Sequence, residues 1–119
     1  GTVRGDLHDI GKDIFTILLK ARGFEVIDLG VDVSSESFIE AAKNHNPDII
    51  AMSALLTLSM SEMEDVVEKL KQGGLREGVK VIIGGAPITK EFGERIGADW
   101  AAKDAVEGVN TCRSWVNPR

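Results

Sequence analysis

Two compact apolar runs constrain the fold of this 119-residue chain more than any other feature. Residues 48–52 (DIIAM) and 79–83 (VKVII) are mostly apolar, and proline or glycine residues bound them. Strands that are buried on both faces have such near-continuous apolar sequences, as in a parallel sheet covered by helices. The alternating segment 24–29 (FEVIDL) and the short segment 99–102 (DWAA) predict two further strands.

Helical patterns separate these predicted strands. Apolar residues recur at helical spacing from Ile10 to Ala21, and Gly23 follows as a stop signal. Further helices are predicted after a Ser34 or Ser35 cap, around the capping-box pattern Ser61-x-x-Glu64, after Thr89, and near the end of the chain. Alternating strands and helices imply right-handed crossovers and a parallel sheet. We therefore predict an α/β, flavodoxin-like (Rossmann-like) fold with five parallel strands in the order 2-1-3-4-5 and helices on both faces.

The first strand of this predicted sheet is short. Only Gly1, Thr2 and Val3 are available for it, whereas a typical strand has about five residues. The chain also begins with glycine instead of methionine. We therefore expect a truncated first strand, and we expect residues 1–119 to be one domain of a longer protein.

Composition excludes several classes of protein. The net charge is −5 and the basic residues are scattered among acids, which argues against a nucleic-acid-binding surface. No apolar run has the length of a membrane span, and no signal peptide opens the chain. Cys112 is the single cysteine, so a disulfide framework is excluded and a reducing cytoplasm is the expected compartment. We expect no nucleic-acid partner and no membrane partner.

Small and polar residues follow every predicted strand. They occupy the segments 5–11, 30–32, 53–59, 84–87 and 103–105. These positions are the carboxyl ends of the strands, the edge at which open α/β sheets bind their ligands. The fold predicts the place of a ligand but not its identity.

Familiar ligands of such sheets match these residues poorly. A flavin needs a hydroxyl-rich phosphate loop and stacking aromatic side chains, but the first loop reads GDLH and the chain has no tyrosine. A phospho-acceptor domain needs an aspartate where Ser53 stands, and the dinucleotide motif G-x-G-x-x-G is missing. A self-contained zinc site is unfavourable because His8, His45 and Cys112 are far apart in sequence. His8 is then either an ordinary loop residue or the ligand of a metal that brings most of its own ligands, such as cobalt in a corrin ring.

Three separated motifs resemble the cobalamin-binding fingerprint. They are D-x-H-x-x-G at residues 6–11, Ser-Ala-Leu at 53–55 and Gly-Gly at 84–85. The fuller string GDLHDIGK resembles the methyltransferase branch, which includes methionine synthase and the small corrinoid proteins of methanogens and acetogens. The similarity extends over nearly the whole chain, including LGVDV and IIGGAP. The implied cofactor is cobalamin or a related corrinoid, such as methylcobalamin, with its cobalt.

The resemblance implies roles for three side chains, Asp6, His8 and Ser59. His8 is expected to be the metal ligand, replacing the cofactor's benzimidazole below the cobalt in a base-off, His-on state. Asp6 is expected to hold the other imidazole nitrogen, and Ser59 to complete a relay that takes up or returns a proton. A ligating histidine needs such an acceptor to fix its tautomer. Ser59 could instead be the cap of the next helix.

The resemblance also implies a cofactor-binding set in four segments. The nucleotide tail is expected in a slot between the sheet and the helices, with polar contacts from the third loop and passage beside the glycines. The set comprises Gly5, Asp6, Leu7, His8, Asp9, Ile10 and Gly11, then Ser53, Leu55, Thr57 and Ser59, then Gly84 and Gly85, and finally Ala105. The alternative interpretations are a small strand-end residue for Ser53 and a plain turn for Gly84-Gly85. Lys12, Asp13 and Glu25 are interpreted as solvated surface residues.

The implied function is that of a methyl carrier that is not catalytic alone. It would accept a methyl group from a substrate-specific methyltransferase and present it to a second, acceptor methyltransferase in transient contacts, and a reductive activator is a further partner to consider. Members of this branch carry an upstream helical bundle, which this chain lacks, and methionine synthase has proline where Leu58 stands. The alternatives are the cobalamin domain of an adenosylcobalamin-dependent mutase, which GDLHDIGK disfavours, and a cobalamin-sensing regulatory module.

Overall fold

The computed structural model describes residues 1–5 and 10–116. Among these residues, three parallel strands form one sheet in the order β1 (Ile49–Ser53), β2 (Lys80–Gly84) and β3 (Trp100–Ala102). The helices are α1 (Ile10–Ala21), α2 (Ser35–His45), α3 (Met60–Gln72), α4 (Lys90–Ile96) and α5 (Ala105–Trp115). A 3-10 turn, Thr57–Ser59, leads from β1 into α3. The predicted α/β architecture with a parallel sheet is therefore confirmed.

Alternate residues of the strands face two helical layers. Ile50, Met52, Val81 and Ile83 pack with α2, α3 and α4, whereas Ile82 packs with Leu19 of α1 and with Val109 and Cys112 of α5. Each fully buried aliphatic side chain contributes about 1.5–3 kcal/mol relative to its exposed state. Helices cover both faces of the sheet, as predicted, and the carboxyl ends of the strands are left at one edge.

The predicted five-strand order is not confirmed, because residues 24–29 do not form a strand. The first residues of the chain form two isolated parallel bridges instead, from Thr2 to Ser53 and from Val3 to Val33. A parallel register that is continued backwards from Val3 and Val33 places the partners of 24–29 before Gly1. A segment without a hydrogen-bonded neighbour is not a strand, however suitable its side chains are.

The predicted Ser34 cap is observed and the helix predicted after Thr89 is present, but the predicted capping box at Ser61 is not observed. The Ser34 hydroxyl accepts the N–H of Ser37 at the start of α2, and Thr89 caps α4 in the same way. The predicted capping box at Ser61 is not a cap, because α3 already begins at Met60. The 3-10 turn enters the helix directly, so Ser61 lies within the first turn.

Candidate functional site

A cavity of about 1200 Å³ opens at the carboxyl ends of β1 and β2 and continues between the sheet and α1 and α5. Its volume is above the range of roughly 300–1,000 Å³ that is usual for small-molecule sites. Five of the predicted cofactor-binding residues line it: Ser53, Leu55, Gly84, Gly85 and Ala105. The structure therefore brings together, at one cavity, residues that are more than fifty positions apart in sequence.

The two adjacent glycines at the end of β2 have different surroundings. Gly85 has φ of +131°, and a Cβ atom there would lie 1.7 Å from the carbonyl oxygen of Ala54, so backbone packing alone requires glycine. The Gly85 carbonyl also accepts the N–H of Ile88 at 3.0 Å, which makes this a turn. A Cβ atom at Gly84 would make only ordinary contact, 3.7 Å from the Ala102 carbonyl oxygen. The space that a side chain would occupy at Gly84 is therefore available to a ligand.

Ser53 connects the first residues of the chain to the cavity. Its Oγ lies 3.0 Å from Oγ1 of Thr2, and its backbone bonds to Gly1 and Val3. Thr2 is fully buried. Thr2 was not among the predicted site residues, because a threonine in a strand carries no functional signal by itself.

The loop after β1 exposes four consecutive residues, 55–58, and buries Ser59. Leu55 and Thr57 are exposed and Leu58 is 92% exposed, whereas Ser59 is 3% exposed. Ser59 occupies the N-cap position of α3, but its hydroxyl makes no capping hydrogen bond. Capping therefore does not explain why a serine is buried here.

Ser59 lies next to Gly5, the residue at which the first loop begins. A Cβ atom at Gly5 would lie 3.5 Å from the Ser59 Oγ. Gly5 has φ of +86°, and its N–H donates to Oδ1 of Asp32 at 2.7 Å. Asp32 was not among the predicted site residues, because only the folded chain brings the loops after two predicted strands together.

The central part of the predicted motif lies outside the described residues. These positions are Asp6, Leu7, His8 and Asp9, while Ile10 and Gly11 begin α1. The His8 ligand and the Asp6–His8–Ser59 relay therefore stay predictions. Over residues 1–5 and 10–116, no three histidine, cysteine, aspartate or glutamate side chains are placed to hold a metal ion together.

A partly buried ion pair lies at the start of α1, on the wall of the cavity. Nζ of Lys12 is 2.9 Å from both carboxylate oxygens of Asp28, and its side chain is 9% exposed. Burial opposes the charge of Lys12, but hydrogen bonds to Asp28 and Asp13 outweigh it and raise the lysine pKa. The same hydrogen bond from Lys12 lowers the pKa of Asp28. The interpretation of Lys12 as a solvated residue is wrong, because the fold places the side chain against the segment 24–29.

Helix α5 also borders the cavity, through Gly108 and Cys112. A Cβ atom at Gly108 would lie 2.9 Å from the Phe15 ring of α1, so this glycine permits close packing of the two helices. Burial raises the pKa of the Cys112 thiol to about 11, which keeps it protonated and unreactive at neutral pH. No helix within the described part of the chain is long and apolar enough to cross a membrane.

The fold and the cavity define an α/β domain that binds a small molecule at the carboxyl edge of a parallel sheet. Residues 1–110 match the family model described as B12 binding domain, and the chain belongs to this family. The resemblance that the three motifs indicated is thus confirmed, and the cofactor is a corrinoid.

Known proteins with similar sequences or folds include corrinoid proteins. Dimethylamine corrinoid protein 1 of Methanosarcina acetivorans is 52% identical over 109 residues, which are 92% of this chain and 51% of that protein. A crystal structure of a cobalamin-binding protein from Desulfitobacterium hafniense superposes with a TM-score of 0.95 and 46% identity, covering 98% of this chain and 57% of that one. The crystal structure of a methanol:cobalamin methyltransferase complex from Methanosarcina barkeri superposes with a TM-score of 0.90 and 29% identity. This match covers 95% of this chain and 43% of that one. The chain therefore spans about half the length of the first relative.

Proposed function

We propose that this chain is the cobalamin-binding domain of a methyl carrier that works between methyltransferases. The observation that carries the proposal is the cavity at the carboxyl edge, which Ser53, Gly84 and Ala105 line together. Membership of the family identifies the ligand as a corrinoid, and the cavity has room for its nucleotide tail. The loop after β1 and the loop that begins at Gly5 would then hold the corrin ring.

The described residues fit such a ligand. Gly84 leaves room beside the sheet, the Ser53 hydroxyl offers a hydrogen-bonding group, and Leu55 adds apolar surface at the mouth. When it is bound, the corrinoid supplies a cobalt atom that can accept and release a methyl group. The protein supplies ligation, orientation and proton handling.

Three side chains carry the proposed ligation. His8 would ligate the cobalt in the base-off, His-on state, and Asp6 would accept the hydrogen bond of the other imidazole nitrogen. Such an acceptor fixes the tautomer of the ring and strengthens its donation. Ser59 extends the relay; its burial beside Gly5, at the start of the loop that contains Asp6 and His8, supports this role. When the histidine leaves the metal its basicity rises, and a carboxylate with a hydroxyl can then hold the extra proton.

The proposed partners are two methyltransferases, one that delivers the methyl group and one that removes it, with a reductive activator as a third. The names of the relatives support this, since one is a dimethylamine corrinoid protein and another belongs to a methanol:cobalamin methyltransferase complex. Two partners that use the same face in turn require transient contacts. The exposed Leu58, on the loop after β1, supplies an apolar contact at this edge.

We also propose that residues 1–119 follow an upstream helical bundle and function in the cytoplasm. Residues preceding Gly1 would complete the first strand and give the five-strand order 2-1-3-4-5. The isolated bridges of Thr2 and Val3 support this, because they lie between Ser53 on one side and Val33 on the other.

Methylation of the loaded protein tests the carrier function. The chain, reconstituted with hydroxocobalamin and reduced, is mixed separately with methanol- and methylamine-specific methyltransferases and their substrates. One of these mixtures should give the absorption spectrum of methylcobalamin, and the enzyme without its substrate is the control. Exclusive retention of adenosylcobalamin, as the cobalamin domain of a mutase would show, contradicts the proposal.

The relay is tested in the same preparation by two substitutions. Asp6→Asn should leave cobalamin affinity within about threefold, because the tail contacts remain, while it changes the pH dependence of the cobalt reduction potential. Ser59→Ala should shift the same pH dependence in the same direction but less. An unchanged pH dependence in both variants would remove the relay from the mechanism.

A further inference from the structure

The turn at residues 30–33 contains one residue more than a regular parallel pairing allows. Thr2 donates its N–H to the carbonyl of Gly30 and accepts the N–H of Val33 on its own carbonyl, both at 2.9 Å. A residue in a regular parallel ladder bonds two positions that are two apart, whereas these positions are three apart. The extra residue makes this turn a bulge, a device that often re-aims a side chain next to a functional site.

The backbone of Asp32, inside this bulge, has an uncommon conformation. Its φ is +52°, and Asn46 is the other non-glycine residue with positive φ in the described part of the chain. Asn46 has a local reason, because it ends α2 and its N–H bonds to the Ala42 carbonyl. Asp32 ends no helix. Its conformation directs the carboxylate to the N–H of Gly5, 2.7 Å away.

Gly5 is therefore held from two sides. The Asp32 carboxylate accepts its N–H, and the Ser59 hydroxyl oxygen lies on the side where a Cβ atom of residue 5 would be 3.5 Å away from it. A hydrogen bond to a carboxylate is about twice as strong as one between neutral groups. Gly5 is also the residue that immediately precedes Asp6 and lies three positions before His8.

We propose that Asp32 is a positioning residue for the loop that begins at Gly5. Its carboxylate fixes the backbone of Gly5, the residue that precedes Asp6 in the sequence. Where His8 ligates cobalt, as in the proposed function on which this part rests, Asp32 raises the fraction of bound cofactor that is ligated by histidine. The bulge and the positive φ of Asp32 bring its carboxylate to the N–H of Gly5.

Amide exchange of the cofactor-free chain tests the anchor itself. Asp32→Gly keeps the positive φ and removes the acceptor, whereas Asp32→Asn keeps both a suitable conformation and an oxygen acceptor. The Gly5 N–H should exchange roughly tenfold faster in Asp32→Gly and change by less than about threefold in Asp32→Asn. Asn46→Gly, which relieves the other positive φ, should leave Gly5 unchanged. Unchanged exchange in Asp32→Gly overturns the proposal.

The chain loaded with cob(II)alamin tests whether Asp32 affects the ligation of cobalt by His8. With cob(II)alamin bound, Asp32→Gly should show a lower His-ligated fraction by electron paramagnetic resonance, while total binding by equilibrium dialysis stays within about threefold because the tail contacts remain. A merely structural role would lower thermal stability and total binding together and leave the ligated fraction as in wild type. That result overturns the proposed role toward His8. A wild-type protein without histidine ligation overturns the proposed function instead, and the exchange of Gly5 then decides alone whether Asp32 fixes the loop.

Discussion

At the residue scale, the two glycines at the end of β2 illustrate how one sequence motif serves two physical needs. Gly85 is required by its neighbour Ala54, which leaves no room for a Cβ atom, whereas a Cβ atom at Gly84, on the cavity wall, would make only ordinary contact. A motif that is identified by resemblance to a family does not show which glycine is required for backbone packing and which one leaves space for a ligand. The structure does, because it shows what each missing side chain would touch.

Alanine substitutions at these two positions should therefore affect different properties, stability at Gly85 and cobalamin binding at Gly84. Gly85→Ala should lower the free energy of unfolding by more than about 3 kcal/mol or prevent folding, because it combines positive φ with a backbone clash. Gly84→Ala should change stability by less than about 1 kcal/mol but weaken cobalamin binding, because its methyl group narrows the cavity. Urea unfolding and equilibrium dialysis measure the two effects. Equal affinity of Gly84→Ala and wild type would mean that the tail does not pass this point.

The predicted site residues that line the cavity share one property: their motif signal is local. Ser53, Gly84 and Ala105 follow strands, and the parallel fold then gathers them at one cavity. Thr2 and Asp32 were missed because their roles come from partners elsewhere in the sequence, at Ser53 and Gly5. Such partnerships are tertiary contacts, and no spacing rule contains them.

At the element scale, an ion pair joins helix α1 to the segment 24–29, in addition to the Phe24 N–H bond to the Leu19 carbonyl. Lys12 of α1 contacts Asp28, and the pair is only partly open to water, with side-chain exposures of 9% and 38%. Within the described part of the chain this segment has no hydrogen-bonded sheet partner. The ion pair therefore helps to hold the segment in place, as the hydrogen bonds of a ladder would hold a strand. The bounds of α1 and the Ser34 cap of α2 were predicted correctly because they depend on local signals, whereas a strand at 24–29 depends on a neighbour.

Replacing Lys12 should loosen this attachment. Lys12→Met keeps the length of the side chain and should lower the free energy of unfolding at pH 7 by about 1 kcal/mol, a value discounted for the exposure of Asp28. The pKa of Asp28 is lowered in the fold, so its stabilising contribution is present above its unfolded value near 4 and is lost as the pH falls through the folded value. The stability loss in Lys12→Met should therefore shrink in acid. Urea unfolding at pH 7 and pH 3 tests this.

The matched control is Lys20→Met, on the same helix but exposed and outside the pair. It should change stability little at either pH. An equal effect of both substitutions would show that the charge of the helix, and not the pair with Asp28, determines the difference.

At the scale of the whole molecule, the cavity continues along the free side of β1. Asp48 and Ala54 bond to β2, so the alternation of a parallel ladder points the backbone groups of Ile49 and Ala51 to the other side. The Gly1 amino group occupies one of these positions, on the Ala51 carbonyl at 3.1 Å. Beyond it, the cavity separates Ile49 from the segment 24–29. A strand of about five residues would fill this space.

Extending the chain upstream should therefore raise its stability. About five apolar, β-branched residues placed before Gly1 should increase the melting temperature by several degrees, because they add ladder hydrogen bonds and cover Ile14 and Ile27, which are 49% and 45% exposed. An extension of equal length made of glycine and serine is the control and should add little. Identical melting temperatures for the two extended chains would refute the proposal that the first strand is incomplete.

The most direct test of the whole account is the electron paramagnetic resonance spectrum of the chain loaded with cob(II)alamin, prepared with ¹⁴N- and ¹⁵N-labelled histidine. Histidine ligation predicts a nitrogen splitting that changes from three lines to two with the label. The splitting should persist in His45→Ala, which removes the other histidine, and disappear in His8→Ala, while most of the bound cofactor is retained. A splitting that is insensitive to the label, or that survives in His8→Ala, would contradict His8 as the ligand and return it to the status of an ordinary loop residue.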